Sequence, residues 1–362
     1  IAAIATRSLS ALSPDIFASI GSAQLTSLTS SKIAALTTGQ IASLTSSQVD
    51  GLTTTQLSGL SSVQVNALNP DTLLSFSTLQ ISGLSTRVIA MLNSAKIAAL
   101  DSGQVAALST LQIAALSSAA VAGLGTDDLA TFSSQEIAAL NSRALAGMST
   151  AQIASLQSSQ LTALSTAKIA SLTTTQVAAL SSSQIDGLST AQISALTSLQ
   201  IVALGTANIS TLSTAQVAAL SSRAVGALTS AQLVAMSSEQ IEALSSAQIA
   251  AFSSADVAAL SAEDLQAFSS AEFSALSSAA IRGIPTAVIG NFSTAMIAAM
   301  NTRAIAALTS DQIAAMSTAQ IAAPIQKCRP PASSRSWRQS QVDPIPRTKL
   351  SAVAAYAHGA RC

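Results

Sequence analysis

A large apolar residue returns at every eighth position from Ile1 to Ile321: Ile1, Leu9, Phe17, Leu25, Ile33 and onward. All 41 of these positions hold Ile, Val, Leu or Phe. A second series sits three residues later, from Ile4, Leu12, Ile20 and Leu28 to Met316. All 40 of its members are Leu, Ile, Met or Phe. No insertion breaks the phase. Ordinary surface loops tolerate insertions, so every position of the octad has a geometric duty.

The polar positions identify the local structure. The residue after the Leu series is Ser, Thr, Asn or Asp in 34 of 40 octads, and the residue three further on is Gln or Glu in 22 of 40. Ser or Thr followed at i+3 by Gln or Glu is a capping box: the hydroxyl accepts from the N3 amide and the Gln reaches back to the cap's own N–H. In this register Leu is N′ and Ile is N4, the hydrophobic-staple pair. Pro14 and Pro70 both fall on N1, where the missing N–H is harmless. Each octad, for example Ser189 to Leu196, therefore predicts a cap and a helix of about seven residues. A helix that short is unstable alone in water, so the octads must stack, which is a solenoid.

Two other architectures compete with this one. A continuous helix fits poorly, because a stripe of period eight drifts by about 80° per repeat and a cap recurs in every unit. A β-solenoid is the serious alternative. Against it, Ile and Leu stand three apart rather than two, and the unit is Ala-rich. The predicted fold is all-α, one short capped helix per octad. Small residues dominate the position before Leu, as at Ala35, Gly51, Gly59 and Ala67. The glycines there cost helix stability and point to close approach between helices. Val88, Val288 and Met296 replace the Gln and are expected to pack inward. Pro285, Gly21, Gly125 and Gly205 replace caps and are expected to mark weak points or bends.

Composition divides the chain into two parts. Residues 1–323 form the octad array, with nine Lys/Arg against fifteen Asp/Glu. Residues 324–362 carry seven Lys/Arg, one Asp, five of the eight prolines, and Cys328, Cys362, Trp337, Tyr356 and His358. Pro324 stands where the next Leu belongs. The segment reads as a disordered tail, with a short helix predicted at Leu350–Ala360. A change this abrupt fits a shifted reading frame or an appended segment. Cys328 and Cys362 fit a disulfide or two free thiols equally well. No apolar run approaches the roughly 20 residues of a bilayer span. The start is no signal peptide and lacks Met, which suggests a processed end.

Chemistry is sparse. Residues 1–323 contain no His, Cys, Tyr or Trp, so they offer no Ser–His or Cys–His pair. The adjacent acids Asp127–Asp128 and Glu263–Asp264 read as first-turn residues favoured by the helix dipole, not as acid–base pairs or metal ligands. No catalytic, cofactor-binding or metal-binding residue is predicted, and no cofactor. An acidic array is a poor phosphate tracker, so no nucleic acid is expected.

The stretch Leu228–Ser238, "LTSAQLVAMSS", resembles the first helix of the transcription activator-like effector repeat. It lacks that family's second helix and base-reading loop, so the resemblance carries no DNA-reading residue. The Leu-[Ser/Thr]-x-x-Gln-[Ile/Val]-x-Ala unit also resembles octapeptide low-complexity repeats of large bacterial surface or secreted proteins, called adhesin-like. That resemblance implies a non-enzymatic structural or adhesive rod with a spacer or display role, extracellular or at the cell surface; a cytoplasmic location is the alternative. A second reading is a solenoid that binds a protein or peptide through the residue two before Ile, which varies most: Ala23, Ser31, Gly39, Ser47, Thr55 and Val63. A third is ice or surface binding by aligned Ser/Thr rows such as Thr38 and Thr54, which requires the β-solenoid. The partner and the oligomeric state are not specified by the pattern.

Overall fold

The computed structural model describes residues 2–327. Beyond residue 327 the tail, with Cys328, Cys362, the single Trp, Tyr and His, and the helix expected at Leu350–Ala360, lies outside the described residues. The array is all-helical: forty short helices follow one another and no strand occurs among the described residues. The β-solenoid alternative therefore fails, and Thr38 and Thr54 are N1 residues of helices rather than members of a flat row.

The capping box forms as the spacing requires. At Ser189 the cap backbone is extended, φ −67° and ψ 157°. The Gln192 N–H donates to Ser189 Oγ at 3.2 Å, and the Ser189 N–H donates to Gln192 Oε1 at 2.9 Å. Leu188 and Ile193, the staple pair, are both buried. The helices are shorter than expected, four to six residues in every octad but the last. The reason lies in the unit itself. The Leu N–H closes the final turn onto the N4 carbonyl, as Leu196 does onto Ile193 at 3.1 Å. The chain then extends into the next cap, and Leu is itself extended where it ends a six-residue helix, as at Leu220 with ψ 140°, except at Leu204 before Gly205. The final helix, Thr318–Lys327, runs ten residues; position 325 holds Ile, so no cap interrupts it.

The chain divides into two compact units, one through Leu188 and the other from Ser189. Within each, a helix packs on the helix three places further along the chain, for example Ser118–Val121 on Ser142–Ala146, or Ser246–Ile249 on Ser270–Ala275. Side-chain bonds between turns join residues 28 and 31 apart, as from Gln40 to Leu12 and Leu9. A turn of 28 residues holds three and a half octads, which is why no alternation of neighbouring octads is visible in the sequence. Both large apolar series point into the coil and are nearly all buried.

The cap replacements behave unequally. Gly21, Gly125 and Pro285 keep the extended cap backbone, with ψ between 139° and 161°. The first two retain half the box, the N–H donating to Gln24 Oε1 or to Asp128 Oδ2. These three octads are not bends. Gly205 is one: its φ is +73°, and Leu204 before it stays helical. Glycine alone reaches that backbone without strain.

Candidate functional site

What the octads build is a seam between successive turns, and its central residue is the N3 glutamine. In the capping box only Oε1 is used. The structure gives the other end of the amide a second duty. Gln176 Nε2 donates at 2.8 Å to the carbonyls of both Leu145 and Met148, one turn earlier. Gln80 does the same to Val49 and Leu52, Gln152 to Val121 and Leu124, and, in the second unit, Gln248 to Val217 and Leu220. Each of these glutamines is buried. A single side chain thus closes its own helix start and staples it to the turn below. Helix C-terminal carbonyls are short of donors. The N4 carbonyl takes the Leu-series N–H that closes the last turn, as Leu145 does from Met148 at 3.1 Å, and the amide adds a second donor to it and one to the Leu-series carbonyl.

This role was not read from the sequence, though a signal exists. Glu closes a capping box as well as Gln does, yet Gln fills 20 of the N3 positions and Glu only 2. Only the amide donates. The two exceptions, Glu136 and Glu272, are half-exposed and keep the cap alone, as in the 2.7 Å bond from the Ser133 N–H to Glu136. Lysine can replace the amide: the ammonium groups of Lys32, Lys96 and Lys168 donate to the carbonyls of Ala2, Leu68 and Ala138. Burial holds the pKa of Lys96 below its ordinary value of 10.5. Four octads with Asn caps, at positions 69, 93, 141 and 301, all lack the N3 Gln. In these Asn141 Nδ2 reaches back to Ala114 and Leu116 at 3.1 and 3.0 Å, and Thr72 Oγ1 to Leu44 at 3.3 Å. Val88, Val288 and Met296 are buried, as their apolar character predicted.

The small position before Leu is a close-approach point. A Cβ on Gly51 or Gly187, in octads with a Gln staple, would lie 3.3 or 3.2 Å from the serine 29 residues earlier. On Gly123, Gly147 and Gly283, whose octads carry Ala at N3, it would lie 2.3, 2.6 and 2.0 Å away. At these three octads the turns close up onto the glycine, whereas Ala227 and Ala307 fill the same position in the other two octads with Ala at N3.

Asp127–Asp128 and Glu263–Asp264 lie in the first turns of their helices. Asp128 accepts from the Gly125 N–H at 2.8 Å and from Ser102 Oγ at 2.9 Å. Asp264 accepts from the Ser261 N–H and Oγ through Oδ2, while its buried Oδ1 has no partner. Hydrogen bonds from a backbone N–H and from Ser237 hold the exposed Glu239 carboxyl below the usual range. Among the described residues no three His, Cys, Asp or Glu side chains are grouped to hold a metal ion. No helix there is long and apolar enough to cross a membrane.

The outer face belongs to N2, the residue two before Ile. It is exposed in every octad from Arg7 to Ala319. It is also the position that varies most, and it presents Val63, Leu79, Leu111 and Leu199 as large exposed apolar side chains.

No curated protein matches the chain. The ALTTAQ repeat matches at residues 97–134, 121–158, 153–190, 178–206, 199–230, 225–262 and 289–323, more than half of the sequence. Its six letters correspond here to Ala, Leu, cap, N1, N2 and the N3 glutamine, as in Ala227–Gln232. The chain belongs to the ALTTAQ repeat family.

Proposed function

We propose that this chain is a non-enzymatic repeat scaffold that spaces or displays other elements at a bacterial surface or outside the cell. One observation supports the reading above others: the buried positions of the octad are held to a few residue types, while the exposed N2 position takes almost any. Such a division suits a part whose repeat number, not any single residue, carries the role. The likeness of the unit to octapeptide repeats of adhesin-like surface proteins supports the location. Nucleic acid is disfavoured by the acidic array and by the absence of a second helix in the octad.

The test is excision. Removing Thr37–Leu92 deletes seven octads, which is two whole turns, and joins Leu36 to the Asn93 cap in phase. The shortened chain should keep its mean helicity and melting transition while its hydrodynamic radius falls. Loss of folding would show that individual octads are not interchangeable. The second reading, a solenoid that docks a protein or peptide, is favoured by the apolar N2 residues. Saturable binding lost on changing Leu79 and Leu111 to Ala would establish it and displace the pure spacer.

A further inference from the structure

The staples are not evenly spread. From Gln248 to Gln312 no N3 position holds an amide: the series runs Asp256, Asp264, Glu272, Ala280, Val288, Met296, Ala304. Seven octads are 56 residues, two full turns. Carboxylates and apolar side chains cannot donate, so the carbonyl rows facing them, between residues 225 and 276, receive no N3 staple. The staples resume with Gln312 onto Ile281 and Ile284 at 2.8 Å. Within the gap Asn301 Nδ2 makes one reach-back bond, 3.3 Å to the Ser274 carbonyl.

Two further features coincide with the gap. Residues 224–281 hold Glu239, Glu242, Asp256, Glu263, Asp264 and Glu272 and no Lys or Arg, so the whole acidic excess of the array lies here. Exposed Glu239 and Glu242 sit on a helix that packs against the helix carrying Glu263, and like charges across a packed pair repel. The core also changes. Phe252, Phe268, Phe273 and Phe292 gather here, the last two edge-to-face at 5.1 Å, and Gly283 closes onto the Ser254 backbone. The turns across this seam pack without an N3 staple, with the Asn301 reach-back as side-chain support.

We infer that residues 253–308 form a compliant segment, the seam at which the second unit opens first. Stacked octads have little stability of their own and depend on the interface with their neighbours, so local opening follows the weakest interface. In a scaffold under load this segment would yield extra length before the stapled turns do. That use rests on the scaffold reading; the existence of the weak seam does not.

The test is amide hydrogen exchange by mass spectrometry on the full chain at neutral pH. Residues 253–308 should exchange about tenfold or more faster than the stapled stretch 149–184. The shorter gap at 117–148, with Ala120, Asp128, Glu136 and Ala144, should fall between them. The fast zone should begin as a step near residue 253, whereas fraying from the end would give a gradient. Changing Asp256, Asp264 and Glu272 together to Gln should slow the segment at least tenfold. In a second arm, Gln152→Met with Gln160→Met should move fast exchange into 149–164. Uniform protection across 149–308, or rates unmoved by the second arm, would overturn the inference, whatever binding experiments say of the scaffold.

Discussion

Gln176→Glu isolates the staple from the cap. The substitution preserves size and the acceptor that takes the Thr173 N–H at 2.8 Å. It removes both donors, which reach Leu145 and Met148 at 2.8 Å each. Two net hydrogen bonds are worth about 2 kcal/mol. A carboxylate left facing two carbonyls would cost several kcal/mol more, unless it swings outward as Glu136 and Glu272 have done. The expected loss at pH 7 is therefore about 2–4 kcal/mol. The introduced carboxyl has a raised pKa in the folded state. Its penalty is fully present above that folded value and is relieved as pH falls toward about 4.3, the unfolded value. Once protonated it can donate one bond again, so the loss at pH 4 should be about half. Gln176→Lys should be mild, since Lys96 and Lys168 already bridge turns. Stability is distributed over neighbouring octads rather than two-state. The assay is therefore exchange of the amides in residues 145–181 through a urea series, each variant compared with wild type at the same pH. A Gln176→Glu chain as stable as wild type at pH 7, or a deficit unchanged at pH 4, would refute the staple.

Other outcomes follow from the same geometry. Gly283→Ala and Gly123→Ala place a Cβ against backbone at 2.0 and 2.3 Å and should each cost about 1–3 kcal/mol in thermal melts. Gly51→Ala, at 3.3 Å and a helical φ of −77°, should fall within about 1 kcal/mol of wild type. Lys96→Gln completes a consensus staple above Leu68 and should stabilise by about 1 kcal/mol near neutral pH. Below its lowered pKa the buried Lys96 ammonium carries its full desolvation cost, and that cost fades as pH rises to 10.5. The gap between Lys96→Gln and wild type should accordingly narrow in melts as the pH is raised toward 10.5. Ser189→Ala removes one cap oxygen and should cost about 1 kcal/mol in a urea titration; no measurable change would mean the cap at Ser189 is redundant.

Most of what depends on contacts within eight residues was legible in the sequence. The cap at Ser189, the reach-back of Gln192, the burial of Leu188 and Ile193 and the N1 placement of Pro14 and Pro70 all follow from i+3 and i+4 chemistry. So did the small residue before Leu, because a glycine in a helix demands a reason. Helix length was overestimated, because an eight-residue unit must give both Leu and its cap to the extended connection. The pitch of the coil was not legible. It emerges from how neighbouring helices pack, and only once 28 residues complete a turn does the Gln176 amide meet Leu145 and Met148. The sequence recorded that meeting as an unexplained excess of Gln over Glu; the folded coil alone decided which carbonyls each amide holds, and where a run of octads holds none.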